Sequence, residues 1–488
     1  MSARRSGTLV VLLALLAVAL AVPPSPPAVA RAPAAPSTAA GPGAVPVVRY
    51  VLPNGLRLLV RPLAGSGLAA VSLLVGASSR AEEASQAGVA VFTREVMLRG
   101  TAARTGAEIA LALESLGGTL RVGTTADYTQ LAVIVPARRL AAALDILAEL
   151  VTQPRFDPQD VEAQRRLTLA RIRAAADDAA TRAFDLLLAQ LYPYHPYGRP
   201  LLGTPETVTA LTREALVAFH RATYTGPNMV LTVAGDVEAA PVAARVRRAF
   251  AAVPADPPPA RLRLLRAVEA ALAPRPTAPA EVRESRGVAA GWVSVGYLGA
   301  RLGHADWPAL RVLAALLGTR LFAEIRDRQG LAYVVGASFA SRAGPGPFLL
   351  AAGAEGANLP RVVEGLLQEV RRVQETAPPA DEVERARNRV IGALAIERED
   401  LAGQAFALGW LELLGLGAAA DARLPDLVGR VAPADVQRVA RRYLAVPTIA
   451  MIVPAPRLGA AGQRTPGRPG QGRATESGAD RPAALRPR

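Results

Sequence analysis

An apolar helix that carries a charged pair is the first place to look for chemistry in this 488-residue chain. The stretch 88-GVAVFTREVMLRGT-101 has helical apolar spacing, with Arg94 and Glu95 in its middle. Positions 91, 94 and 95 share one helix face, so Val91, Arg94 and Glu95 look the same way. A carboxylate there can ligate a metal or move a proton, but one carboxylate alone does not make a tetrahedral zinc site. A guanidinium stays charged and cannot take a proton from water. Two readings stay open here: the pair serves a site, or it reaches solvent in a cavity. The other ligand-type residues add little. His195, His220 and His304 are far apart and share no ligand spacing. There is no Cys, which excludes disulfides, thiolate zinc sites and a catalytic thiol. His195, in 192-YPYHPYG-198, is read as ordering its own loop.

The elements that must position these residues alternate between strands and helices. The segment 47-VVRYVLPNGLRLLV-60 reads as two strands around a Pro-Asn-Gly turn, and 69-AAVSLLVGASS-79 as a third strand. Helices follow over 138–151 and 156–178, the latter with Asp157 as N-cap and Pro158 at its first position. A helix over 212–224 leads into a strand at 229–236. The Pro-rich breaks within 255–280 read as an interdomain linker. Beyond it the order recurs: a strand at 290–299, a helix at 305–318, strand material at 331–340, and helices over 359–374 and 381–395. The stretches 161-VEAQRRLTLARI-172 and 383-VERARNRVIGAL-394 resemble one another, as do 213–224 and 433–444. This predicts two copies of one α+β domain, over 47–254 and 281–455.

Composition bounds the remaining possibilities. The net charge is +15, with every basic residue an Arg. Seven of these lie in the segment 456–488 against Glu476 and Asp480, and two, Arg4 and Arg5, near the start. No basic run is interleaved with aromatics, so no nucleic-acid partner is expected. Arg4 and Arg5, the apolar run 9–22 and Ala28-Val29-Ala30 read as a signal peptide over 1–30, too short for a membrane span. The mature chain is therefore expected to be exported, most simply to a periplasm, with no integral membrane span. The segment 31–46 reads as a flexible linker with nothing to pack, and 456–488 as a disordered basic tail.

The charged helix resembles the segment of pitrilysin/insulinase-family zinc peptidases that reads G-x-A-H-F-x-E-H-M-x-x-x-G-T. Gly88, Ala90, Phe92, Gly100 and Thr101 fit that frame without a gap. Further blocks follow in order: 153-QPRFDPQDVEAQRRLTLARI-172, 195-HPYGRPLLGTPETV-208, 224-YTGPNMVLTVAGD-236 and 318-GTRLFAEIRDRQGLAY-333. The pattern is that of bacterial two-chain members similar to mitochondrial processing peptidase. The resemblance implies two homologous α+β domains, each a mostly antiparallel sheet packed with helices, forming half of a clam-shell chamber.

In the family, H-x-x-E-H and a later Glu hold zinc and activate water. Carried over, the two His positions are Val91 and Glu95, the base position is Arg94, and the later Glu position is Arg171. No zinc is expected in this chain. An ion pair between Glu95 and Arg171 is expected in its place. Arg326 and Tyr333 match the family's substrate-binding Arg and Tyr. The resemblance thus implies a non-catalytic, peptide-binding subunit, inactive alone, whose zinc-bearing homologous partner it completes in a heterodimer acting on unfolded peptide. The alternative is a catalytically dead scaffold or peptide-binding protein with no proteolytic partner.

Overall fold

The computed structural model describes residues 37–39, 46–256 and 276–455. The leader read over 1–30, the tail over 456–488 and most of the break over 255–280 lie outside them. The reading of 31–46 as a segment with nothing to pack is corrected in part. Ser37–Ala39 forms a short strand, β1, antiparallel to β2 (Val47–Val51), with Ser37 opposite Arg49. The outer edge of β2 would otherwise carry unpaired backbone groups, which the backbone of β1 takes up.

The first half continues with β3 (Arg57–Pro62), β4 (Leu68–Val75), α1 (Val89–Met97) and α2 (Gly106–Ser115). A hairpin of β5 (Thr119–Thr124) and β6 (Thr129–Pro136) follows, then α3 (Leu140–Thr152), α4 (Pro158–Asp177) and α5 (Ala179–Leu191). It closes with α6 (Pro205–Ala210), α7 (Arg213–Thr223), β7 (Met229–Gly235) and α8 (Ala239–Ala249). The second half runs β8 (Ala280–Arg286), β9 (Gly291–Leu298), α9 (Trp307–Leu321), β10 (Ala332–Phe339) and β11 (Pro347–Ala354). Helices α10 (Leu359–Glu375), α11 (Ala380–Ile396), α12 (Leu401–Leu413), α13 (Ala420–Gly429) and α14 (Pro433–Tyr443) then lead to β12 (Thr448–Pro454).

The two sheets have one topology. The first is ordered β1-β2-β3-β7-β4-β6-β5 and the second β10-β11-β9-β12-β8. Read from the β5 and β10 edges, the five strands of the second sheet correspond to the first five of the seven, and β2 and β1 extend the first sheet beyond that common part. The single parallel pair, β3 with β7, is matched by β8 with β12, and the other pairs are antiparallel. The fold is α+β, in two equivalent sheet-and-helix domains.

The halves interlock by trading a helix. Helix α5, from the first half, lies across β9 and β12 of the second sheet. Its Ala183, Leu187 and Leu191 are buried there against Trp292, Leu349 and Ile452. In return α12 covers β4 and β7 of the first sheet, where Ala405 meets Ala70 and Ala234 and Leu408 meets Val230. A Cβ on Gly409 of α12 would stand 2.6 Å from the Thr232 Oγ1, so the helix sits close because position 409 has no side chain. Helices thus cover both faces of each sheet, and β4 and β9 are buried along nearly their whole length. Each Leu so buried contributes about 1.5–3 kcal/mol, which makes each domain the other's core. The described residues up to Pro454 accordingly form one compact unit. Among the described residues no helix is long and apolar enough to cross a membrane.

Candidate functional site

Helix α1 starts from an unusual cap. Gly88, at φ 92°, turns the chain into it, and a Cβ there would lie 2.5 Å from the Leu202 carbonyl oxygen. No side chain at the cap position takes up the free amides. Glu82, only 1% exposed, does so instead: it accepts from the Gly88 N–H at 3.0 Å and the Ala90 N–H at 2.9 Å. Burial pushes its carboxyl up to about 7, although those two amides and nearby Arg199 pull the other way. The Arg199 Nη1 also donates to the Glu82 carbonyl oxygen at 3.0 Å.

Helix α4 is fixed as its sequence requires. The Asp157 side chain accepts from the Gln159 N–H at 2.9 Å and Pro158 occupies the first turn. Helices α1 and α4 pack together, tied by an Arg99 Nη2 to Gln164 Oε1 hydrogen bond of 2.8 Å and by Arg165 over the Phe92 ring. This packing brings the expected pair into contact: Arg171 Nη1 donates to Glu95 Oε1 at 3.0 Å. Arg94 donates from Nη2 to the same oxygen. The Arg171 side chain is half exposed, whereas Arg94 is 7% exposed and its Nε has no hydrogen-bond partner among the described residues. Val91 is buried. Both charges of the helix are therefore engaged with protein rather than simply reaching solvent.

These residues do not fit a zinc ion. Val91 offers no donor atom, Arg171 is a cation, and the only carboxylate is already held by two guanidiniums. Among the described residues no group of three or more His, Asp or Glu side chains could hold a metal. His195 accepts the Tyr197 N–H at 3.2 Å, His220 Nε2 lies 3.0 Å from the Val151 carbonyl oxygen, and His304 accepts the Asp306 N–H at 3.0 Å. The three stay apart. The loop of His195 joins the domains: Tyr192 donates to the Pro345 carbonyl oxygen at 2.6 Å, and the Tyr197 hydroxyl accepts from the Gly344 N–H at 3.1 Å.

Arg326 and Tyr333 lie across the domain boundary from α1. Arg326 sits in a π-helical turn, Phe322–Arg328, that extends α9 and is anchored by buried Ile325. Its exposed guanidinium stacks over the Phe322 ring at 4.8 Å and makes no ion pair among the described residues. Tyr333 occupies a bulge in β10, between Ala332 and Val334, with its ring against Gly353. It is 47% exposed, and its hydroxyl has no hydrogen-bond partner among the described residues. Partial burial raises its phenol above the ordinary value, and the Asp178 carboxylate adds to this. Asp178 caps α5 directly after α4, the helix that carries Arg171. Sequence reasoning did not find Glu82 or Asp178. The adjacent acids of 81-AEEAS-85 were the only signal for the first.

With this geometry in view, comparison with known proteins is informative. Residues 64–205 match the family model described as insulinase (peptidase family M16), and residues 210–390 the one described as peptidase M16 inactive domain. An uncharacterized zinc protease of Mycobacterium leprae is 36% identical over 301 residues, 59% of this chain and 65% of that protein. The chain thus spans just under two thirds of that relative's length. Another uncharacterized zinc protease, from Mycobacterium tuberculosis H37Rv, is 34% identical over 315 residues, covering 62% of this chain and 68% of its own length. A crystal structure of a peptidase M16 inactive domain from Pseudomonas fluorescens superposes with a TM-score of 0.76 at 20% identity, covering 84% of this chain and 98% of that one.

Proposed function

This chain belongs to the insulinase family of peptidases, and from that premise we propose that it is an exported, non-catalytic subunit that binds peptide for a zinc-bearing homologous partner. One observation carries the reading. The four positions on which hydrolysis depends in the family are Val91, Arg94, Glu95 and Arg171, and an ion pair occupies their centre, while Arg326 and Tyr333 keep their polar ends free. A forked cation and a phenol, both exposed and neither in an ion pair nor in a hydrogen bond among the described residues, suit the carbonyl oxygens of an extended peptide. The hydrolytic zinc would come from the partner, and this chain would hold the peptide in register.

The test is a peptide-cleavage assay on the mature chain alone, on a zinc-motif homologue from the same genome alone, and on the mixture. The expected result is no cleavage by this chain and faster cleavage by the mixture than by the homologue, with the gain lost in Arg326→Ala/Tyr333→Phe. A mixture no faster than the homologue would overturn the reading in favour of a scaffold without a proteolytic partner.

A further inference from the structure

The degenerate motif lies beside a cavity of about 500 Å³. Glu95, Leu98 and Arg99 of α1, Ala107 at the start of α2, and Arg155 and Asp160 at the start of α4 are on its wall. Two cations, Arg99 and Arg155, line it directly, and two more, Arg94 and Arg171, hold its carboxylate Glu95. With Asp157, which stands 3.8 Å from the Arg155 Nε, three acids thus stand among four guanidiniums, and they are partly spoken for. Glu95 is bound twice, and Asp160 stands 3.5 Å from the Arg155 Nη2.

Arg155 apart, the cations are less fully engaged. Arg99 gives one hydrogen bond, to Gln164. Arg171 gives one, to Glu95, and is half exposed. Arg94 is more than nine-tenths buried, with an orphaned Nε on the guanidinium that touches the cavity's own carboxylate. Leu98 and Ala107 give the same cavity an apolar side.

We infer that this cavity binds a carboxylate of the peptide, so that the abandoned hydrolytic end of the chain has become an anion-binding anchor. The inference rests on the peptide-binding reading above and names the chemical group recognised at a second place in the chain. Guanidinium forks match carboxylates in geometry, and charge-assisted bonds inside a partly enclosed site are stronger than neutral ones.

The experiment measures fluorescence anisotropy of the mature chain, at low ionic strength, with a short labelled peptide of neutral side chains. The peptide is prepared with a free C-terminal carboxylate, as its C-terminal amide, and as the amide with one internal Asp. The acid form is expected to bind about tenfold more tightly than the plain amide, the gain of one paired charge. That preference is expected to disappear in Arg99→Gln/Arg155→Gln, with an unchanged circular dichroism spectrum. If the Asp-containing amide matches the acid, the site takes carboxylates of either origin and the inference holds. Equal binding of acid and plain amide, or a preference that survives the double substitution, overturns it. In that case, loss of both peptides in Arg326→Ala/Tyr333→Phe leaves the subunit reading standing. No binding of any peptide overturns the inference too, and cleavage by the mixture then decides the subunit reading separately.

Discussion

Glu82 is the residue on which the start of α1 depends, and its chemistry sets a pH dependence. Its folded value of about 7 lies above the ordinary 4.5, so its contribution to stability is full below pH 4.5 and is lost as pH rises through 7. His195 and His220 act in the opposite direction. Burial lowers both to about 4, so their contribution is present above pH 6.5 and is lost as pH falls toward 4. The difference between wild type and Glu82→Gln isolates the carboxylate from the histidines. Between pH 5 and pH 8 that difference is expected to change by up to roughly 3 kcal/mol, with wild type losing relative stability at the higher pH. Urea denaturation at each pH measures it, and parallel curves would remove the burial argument. The Arg171–Glu95 pair has a smaller effect, because the Arg171 side chain is half exposed and screened. Arg171→Ala is expected to cost about 0–1 kcal/mol, less at high salt. A double-mutant cycle with Glu95→Gln reads the coupling, and a coupling of zero would mean that the contact is incidental.

At the scale of elements, the traded helices explain why neither sheet is complete on its own. Leu187 on α5 is fully buried, in a cluster that draws Trp292, Leu298, Leu349 and Ile452 from the second domain. Leu187→Ala is expected to destabilise the chain by about 2–4 kcal/mol while leaving one cooperative transition, because the helix links both cores. Two separate calorimetric transitions would show that the cores are independent. Gly409→Leu tests the reciprocal helix. A side chain there must displace Thr232 or lift α12 off the sheet, and a loss of about 1–3 kcal/mol is expected. The π-helical turn after α9 plays a different part. It places Arg326 beside Phe322 and next to the β10 bulge that turns out Tyr333, and such local irregularities recur at functional sites.

At the scale of the whole molecule, the tie between α1 and α4 bears on whether the fold depends on a metal. The contact between α1 and α4 that a zinc ion makes in the family is made here by the Arg171 guanidinium on Glu95. Dialysis against a strong chelator is therefore expected to leave the melting temperature and peptide binding unchanged. A drop that zinc restores would show that the chain does hold a structural metal. Expressing 46–256 and 276–455 as separate chains exposes the apolar faces that α5 and α12 cover. Each half is expected to aggregate or to need the other to fold, which light scattering of the separate and mixed halves measures.

Much of this was legible in the sequence because it depends on local spacing. Asp157 and Pro158 predicted the start of α4, the two-strand reading of 47–60 was found as β2 and β3, and one helix face held positions 91, 94 and 95. The types of those residues already argued against a zinc site, since no arrangement makes a ligand of Val91 or a base of Arg94. The β5–β6 hairpin and the roles of α5 and α12 were not legible. Their apolar residues mark burial without saying against what, and the partners lie more than a hundred residues away in the other half. The small strand β1 was missed because Ser37–Ala39 carries no pattern of its own and pairs only because the edge of β2 is there. Glu82 was missed for a similar reason. An acid in a loop signals solvent until the fold removes the water, and only tertiary packing set it against the amides of α1.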